Sequence, residues 1–168
     1  VMGIGLAIIL IRYISKYHRS RLAKENFLTR ITINLNNKKV NLVTLIDTGN
    51  SLKEPITQKP VIIAEYSSLE SILPEPLRKI YIEKKEDDLS SIANIMEDLG
   101  DEIKLRLIPF KSLGNENGIL IGFTPDNISI YLDNEIKSLK NETIVAIYNN
   151  KLSKDEQYNG LLHPEILG

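Results

Sequence analysis

At 168 residues the chain is long enough for one ordinary domain with a core that needs no covalent staple. It has no cysteine, which excludes disulfide frameworks and thiolate metal sites and makes a reducing compartment the simpler expectation. Lys and Arg (21) nearly balance Asp and Glu (22), a formal net charge of -1, so there is no overall basic field to hold a nucleic-acid backbone.

Residues 1–11, VMGIGLAIILI, are uncharged and apolar, and RYISKYHRSRLAK comes next with Arg12, Lys16, Arg19, Arg21 and Lys24 and no acid. A spanning helix takes roughly 20 apolar residues, so the run reads as the end of one, with the basic flank placing the rest of the chain in the cytoplasm. A secretory signal peptide would carry its charges ahead of the apolar run. The division expected is therefore residues 1–28 as membrane segment and juxtamembrane linker, and 29–168 as a cytoplasmic domain. An amphipathic or buried N-terminal helix is the plainer alternative.

From Thr29, TRITINL alternates with Ile31, Ile33 and Leu35 on one face, the period of a half-buried strand. NNKK at 36–39 is a turn cluster, and VNLVTLI then runs as the second strand of a hairpin into Asp47. EPITQKP is loop, and VIIA at 61–64 a short buried strand. Between residues 65 and 100 the pattern becomes helical. SSLE at 67–70 fits a capping box led by Ser67. DLSSIANIMEDLG sets Leu89, Ile92, Ala93, Met96 and Leu99 at helical spacing before the stop residue Gly100. This region is expected to be a helical insertion in a mainly β domain.

Strands resume with IKLRLIPF and GILIGF. The intervening KSLGNENG has the Gly and Asn residues of a hairpin tip. NISIYL and TIVAIY are two further strands joined by the polar DNEIKSLKNE, and the terminal NGLLHPEILG reads as a short apolar helix.

Little of this can carry chemistry. His18 and His163 are the only histidines, and neither has carboxylates grouped around it as a ligand set. No metal or other cofactor is expected. There is no G-x-S-x-G elbow, P-loop or G-x-G-x-x-G, and a phosphate-binding Asp-Thr-Gly loop would need further Gly-rich loops and a longer chain. KKEDD at 84–88 reads as a solvated charge run, and the N-x-S/T sequons at Asn127 and Asn141 mean little on a cytoplasmic chain.

There remains LIDTG at 45–49. Aspartic peptidases use two carboxylates that share one proton, each held rigidly beside the other. An apolar stem, an acid, a Thr hydroxyl to brace the loop and a Gly to let the backbone turn tightly supply one such half. Asp47 is thus the candidate catalytic residue, with Thr48, Gly49 and Asn50 as its support. As an isolated match, Asp47 would be a turn acid accepting backbone N–H bonds. Since one motif cannot make a dyad, the chain would act as a homodimer whose twofold axis brings both copies of Asp47 together.

The stretch LIDTGNSLKEPITQKPVIIAEY resembles the sporulation sigma-factor-processing peptidases of endospore-forming bacteria. Their pattern of hydrophobic-Asp-Thr-Gly-Asn-x-Leu, Asp/Glu-Pro and Pro-Val is met by Asp47, Thr48, Gly49, Asn50, Leu52, Glu54, Pro55, Pro60 and Val61. IPFKSLGNENGILIGFTPD and LLHPEIL resemble the same family. The resemblance implies a domain similar to one retroviral-protease subunit, a retropepsin-like single-lobe β-barrel. It also implies a membrane-embedded N-terminal half, the inactive precursor of sigma-E as substrate, and a signalling protein secreted from the forespore as activator. Asn50 replaces the Ala or Ser usual after Asp-Thr-Gly, and its amide would either bond a dyad carboxylate or cap the turn. Gly160 is the candidate for the apolar-apolar-Gly element. The hairpin residues Gly114, Asn115, Glu116, Asn117 and Gly118 would be a flap closing over substrate, or a plain exposed hairpin. The competing reading is a non-enzymatic, membrane-tethered interaction domain with the helical insertion as its recognition surface.

Overall fold

The computed structural model describes residues 27–112, 115–133, 135–140 and 143–168. Residues 1–26 of the expected membrane segment and linker at 1–28, and Gly114 of the expected flap, lie outside the described residues. Among those described, no helix is long and apolar enough to cross a membrane.

The domain is mainly β, as its alternating patterns require. The strands are β1 (Leu28–Leu35), β2 (Lys38–Ile46), β3 (Val61–Glu65), β4 (Leu105–Ser112), β5 (Asn115–Phe123), β6 (Asn127–Leu132), β7 (Glu135–Lys140), β8 (Ile144–Tyr148) and β9 (Gly160–Leu162). They form one open mixed sheet in the order β4-β5-β8-β3-β9-β2-β1-β6-β7. Asn36 and Asn37 join β1 to β2 with φ of 49° and 63°, the left-handed pair that a two-residue hairpin turn demands and that Asn tolerates.

Most apolar side chains face one side of the sheet. Ile31, Ile33, Ile62, Ile121, Phe123, Val145, Ile147 and Leu162 form the main core with the helical insertion packed over it. The alternate residues at the β4 end, Val61, Ile108, Leu120, Ile144 and Ala146, make a smaller core on the opposite face. The sheet is therefore covered on both sides where β3, β8 and β5 adjoin.

The insertion holds α1 (Tyr66–Leu69), α2 (Glu75–Ile82) and α3 (Leu89–Leu99). Pro76 starts α2, where its missing N–H costs nothing. Asp88 caps α3 by accepting from the Ser90 N–H at 3.2 Å, and Gly100 ends it at φ 46°. The expected capping box at Ser67 is absent. Glu65 is the N-cap of α1 without a side-chain cap bond, because its carboxylate is turned instead toward the Leu152 N–H, 2.8 Å away. The stripe of α3 is also narrower than its spacing suggests. Ile92 and Leu99 are buried and Ile95 packs beside them, while Leu89, Ala93 and Met96 are exposed, since the helix covers the core along a single edge.

Two further expectations need correction. The polar connection after β6 contains β7, an edge strand paired with β6 from Asn127↔Lys140 to Leu132↔Glu135. An edge strand is half solvated and charge-rich, so its apolar signal is weak. The C-terminal apolar segment is not a helix. Residues 160–162 are β9, parallel to β2 and antiparallel to β3, and only a 3₁₀ turn at Pro164–Ile166 succeeds it.

β9 is a wedge between β2 and β3. A Cβ on Gly160 would stand 2.7 Å from the Thr44 methyl and 3.3 Å from the Ile63 carbonyl oxygen, and Thr44 is fully buried. Gly160→Ala should therefore destabilise the domain by about 1–3 kcal/mol, seen as a lower urea midpoint. An unchanged midpoint would show that β9 is not wedged.

Candidate active site

Asp47 stands immediately beyond β2, where the strand must leave the sheet. Its N–H donates to the Leu162 carbonyl at 3.0 Å, so β9 fixes the acid's backbone from one side, and the N–H of Ile46 before it donates to the Phe27 carbonyl at 2.8 Å. Below the acid, Asn159 locks β9 to β2 twice. Its N–H donates to the Val43 carbonyl at 2.9 Å, and its side-chain oxygen accepts from the Val43 N–H at 3.0 Å.

The loop after Asp47 is closed by its own polar groups. Gly49 N–H donates to Asp47 Oδ1 at 2.9 Å, and Asn50 N–H donates to the Asp47 carbonyl at 3.0 Å. Gly49 does not adopt a left-handed φ. Glycine leaves room there, since a Cβ would come within 3.3 Å of Asp47 Oδ1 and press on the carboxylate. Asn50 is buried, and both ends of its amide are engaged. Nδ2 donates to the Val61 carbonyl at 3.4 Å and Oδ1 accepts from the Leu52 N–H at 3.0 Å. Thr48 is exposed, and among the described residues its hydroxyl has no partner.

The acid, half-buried, lies on a cleft of about 810 Å³. Gly49, Asn50, Leu52 and Lys53 form the wall beside Asp47, Ile63 and Leu161 the floor, and Pro109, Phe110, Lys111, Gly118 and Ile119 of the β4–β5 hairpin the facing wall. Gly118 thus shares the cleft with Asp47. It packs so tightly on the Phe110 ring that a Cβ would meet it at 2.3 Å. Asn115, Glu116 and Asn117 are the strand residues leading into it.

Two residues near the acid carry no signal in the sequence. Tyr158 is held above its ordinary phenol value by burial and then by the nearby charges of Asp47 and Asp155, so it is protonated and a donor across the physiological range. Glu165 grips Lys53 through both carboxylate oxygens at 2.9 Å, tying the wall of the cleft to the 3₁₀ turn, and Lys53 holds the Glu165 carboxyl below its usual range. His163 has a structural role: its Nδ1 accepts from the Glu165 N–H at 3.1 Å. His18 lies outside the described residues. The segment 84–88 is not wholly solvated either. Glu86 is half-buried and bonds Asn149, and Asp88 caps α3.

The structure thus sets an acid at a strand end facing a hairpin across an open cleft, in a mainly β domain. The chain belongs to the sporulation factor SpoIIGA family, whose model matches residues 1–166. A provisionally named sporulation sigma factor-processing peptidase of Bacillus thuringiensis subsp. kurstaki is 34% identical over 156 residues, covering 92% of this chain and 89% of that protein. The sporulation sigma-E factor-processing peptidase of Priestia megaterium is 32% identical over 165 residues, covering 94% of this chain but 51% of its own length. The protein of that name from Bacillus subtilis is 32% identical over 123 residues, 73% of this chain and 39% of the relative. The chain thus spans about half or less of these last two relatives. No solved structure matches it.

The turn just beyond the site carries its own acid-sensitive lock. Glu54 is buried, and its Oε2 accepts from the Thr57 N–H at 2.5 Å and the Thr57 hydroxyl at 2.6 Å. These two bonds, the hydroxyl's first, lower its pKa below 4.5. A carboxylate depressed on folding contributes stability that is complete above its unfolded value and is lost as pH falls through the folded one. Between pH 6 and 3 the urea midpoint of the wild type should therefore fall more steeply than that of Glu54→Gln. Parallel pH profiles would show that the Thr57 bonds confer no pH-linked stability.

Proposed function

We propose that this chain is the catalytic domain of a membrane-tethered aspartic endopeptidase that removes the pro-sequence of a sporulation sigma factor. Asp47 is one half of its dyad, and Asp47 of a second copy is the other. The observation that carries the reading is the setting of Asp47. Its backbone is pinned by Leu162, one carboxylate oxygen is oriented by the Gly49 N–H, and its side chain opens onto the cleft beneath the β4–β5 hairpin. The relatives' names, which specify sigma-E processing, supply the substrate.

In a retropepsin-like dimer the two carboxylates lie too close for both to ionise, so they share one proton. The ionised member draws a proton from a water placed between them as that water attacks the scissile carbonyl. The protonated member hydrogen-bonds the carbonyl oxygen and then supplies the proton that the leaving nitrogen requires. The hairpin that bears Phe110 and Gly118, together with residues 114–117, closes over the substrate and excludes water. Thr48, Gly49 and Asn50 hold the loop in register. Residues 1–28 anchor the domain at the mother-cell membrane with the cleft in the cytoplasm, raising the local concentration of a weakly dimerising lobe. A protein secreted from the forespore acts as the trigger.

Co-expression of the full-length protein with the sigma precursor tests this reading. Asp47→Ala, at matched membrane levels, should reduce cleavage by a factor on the order of 10³ or more. The same hydrogen bond from Gly49 would suit a turn acid, so persistent cleavage by a folded Asp47→Ala would assign the domain to non-enzymatic interaction instead.

A further inference from the structure

Three apolar side chains stand in solvent at one corner of the sheet. Phe27, where β1 begins, is 48% exposed, Tyr131 near the end of β6 is 43% exposed, and Ile136 near the start of β7 is 66% exposed. The register makes them neighbours. Tyr131 pairs with Arg30 of β1 on one side and with Ile136 on the other, and each step between strands is about 5 Å. An edge strand ordinarily turns charge outward, whereas β7 presents an isoleucine, and exposed apolar side chains gathered in one place mark a contact surface. The Tyr131 ring is steadied there, its oxygen 3.3 Å from Thr32 Oγ1.

The charges of this corner are arranged for an anionic partner. On the face that Tyr131 and Ile136 share, the charged residues of β1 and β2 are Arg30 and Lys39, with no acid among them. The acids nearby lie elsewhere: Asp133 follows β6 in the turn, and Glu135, in register with Leu132, falls on the other face. Arg30 is exposed and has no acidic partner among the described residues. The chain also arrives here straight from its basic flank. Lys24 precedes Phe27 by three residues, a span of at most about 11 Å, and the Phe27 carbonyl is fixed to the sheet by the Ile46 N–H. Basic residues beside a membrane segment lie at the surface of an anionic leaflet, so the last of them brings this corner with it.

We propose that the corner docks on the surface of an anionic bilayer, with Phe27, Tyr131 and Ile136 in the interfacial layer and Arg30 against the lipid phosphates. Aromatic rings suit that layer, and a guanidinium matches a phosphate in geometry as well as charge. The inference rests on the membrane-tethered reading above and deepens it. Asp47 stands at the same end of the sheet, directly after Ile46, so docking fixes how the cleft is oriented to the membrane. Ile56, 86% exposed, is a lone apolar residue at the opposite end, where its neighbour Thr57 shares a cleft with Leu35 and Asp126. It stands clear of the docked surface.

The chain has no cysteine, so single sites can be labelled. Ile136→Cys and Ile56→Cys are made in the full-length protein, with any other cysteine changed to serine, and carry a fluorophore in vesicles of phosphatidylcholine and phosphatidylglycerol. The label at 136 should be quenched by spin-labelled lipid and sheltered from aqueous iodide, and the label at 56 should behave in the opposite way. Arg30→Glu should lower the ratio of docked to undocked protein about fivefold or more, the size of one basic residue at an anionic surface. If the label at 136 is open to iodide, or both sites are quenched equally by lipid, docking is wrong while the tether stands. Shelter from iodide without lipid quenching would show that protein, a second copy or residues 12–24, covers the corner, and would overturn docking too. Release of the protein from the vesicles by alkaline carbonate would overturn the tether, and docking with it.

Discussion

The insertion of β9 between β2 and β3 is the constraint on which the site depends. Three residues from near the C-terminus accept and donate on both sides, parallel to the strand that leads to Asp47 and antiparallel to the one beyond its loop. Without β9, the Asp47 N–H would lose the Leu162 carbonyl, and β2 and β3 would have no common partner. Only Gly fits at position 160, between the Thr44 methyl and the Ile63 carbonyl. Late chain thus completes early chain, and the acid is rigid only once nearly the whole domain has folded. That is a high-contact-order arrangement, slow to form but firm when formed.

The approach to β9 is secured by buried polar groups rather than by apolar packing. Glu65 accepts from the Leu152 N–H through one oxygen, its own N–H donates to the Asn159 carbonyl, and Lys151 approaches its second oxygen at 3.6 Å. Asn159 bonds β2 and also donates from Nδ2 to the Ser68 hydroxyl of α1 at 2.9 Å. Each group is satisfied by partners distant in sequence, which selects one path for the 149–159 loop. The same path brings Tyr158 beside Asp47.

These long-range bonds explain why some features were legible in the sequence and others were not. Local devices were readable because a residue and its cause lie within a few positions: the Asn36-Asn37 turn, the Asp88 and Gly100 caps of α3, and the apolar stem into Asp47. β7 was missed because an edge strand exposes Ile136 and alternates charges around it. GLL at 160–162 has no strand-forming pattern of its own and is a strand only because two others accept it. The Ser67 capping box failed for a similar reason, since Glu65 answers to residue 152 rather than to its own helix. For the site, the candidate acid was readable, but its cleft partners Phe110 and Ile119 were not, since sheet order alone makes them neighbours.

The resulting division of labour comes from rigidity. Residues 47–54 and β9 make a wall fixed by internal hydrogen bonds, among them those at Asp47 N–H, Gly49 N–H and both ends of the Asn50 amide. The opposite wall is the end of a hairpin at the sheet edge, where β4 has a single neighbour and the β4–β5 register breaks between Phe110 and Ser112. A strand edge with one partner opens at lower free energy than a strand held on both sides. Any change of shape that admits an extended polypeptide therefore falls on the hairpin wall, while Asp47 keeps its position.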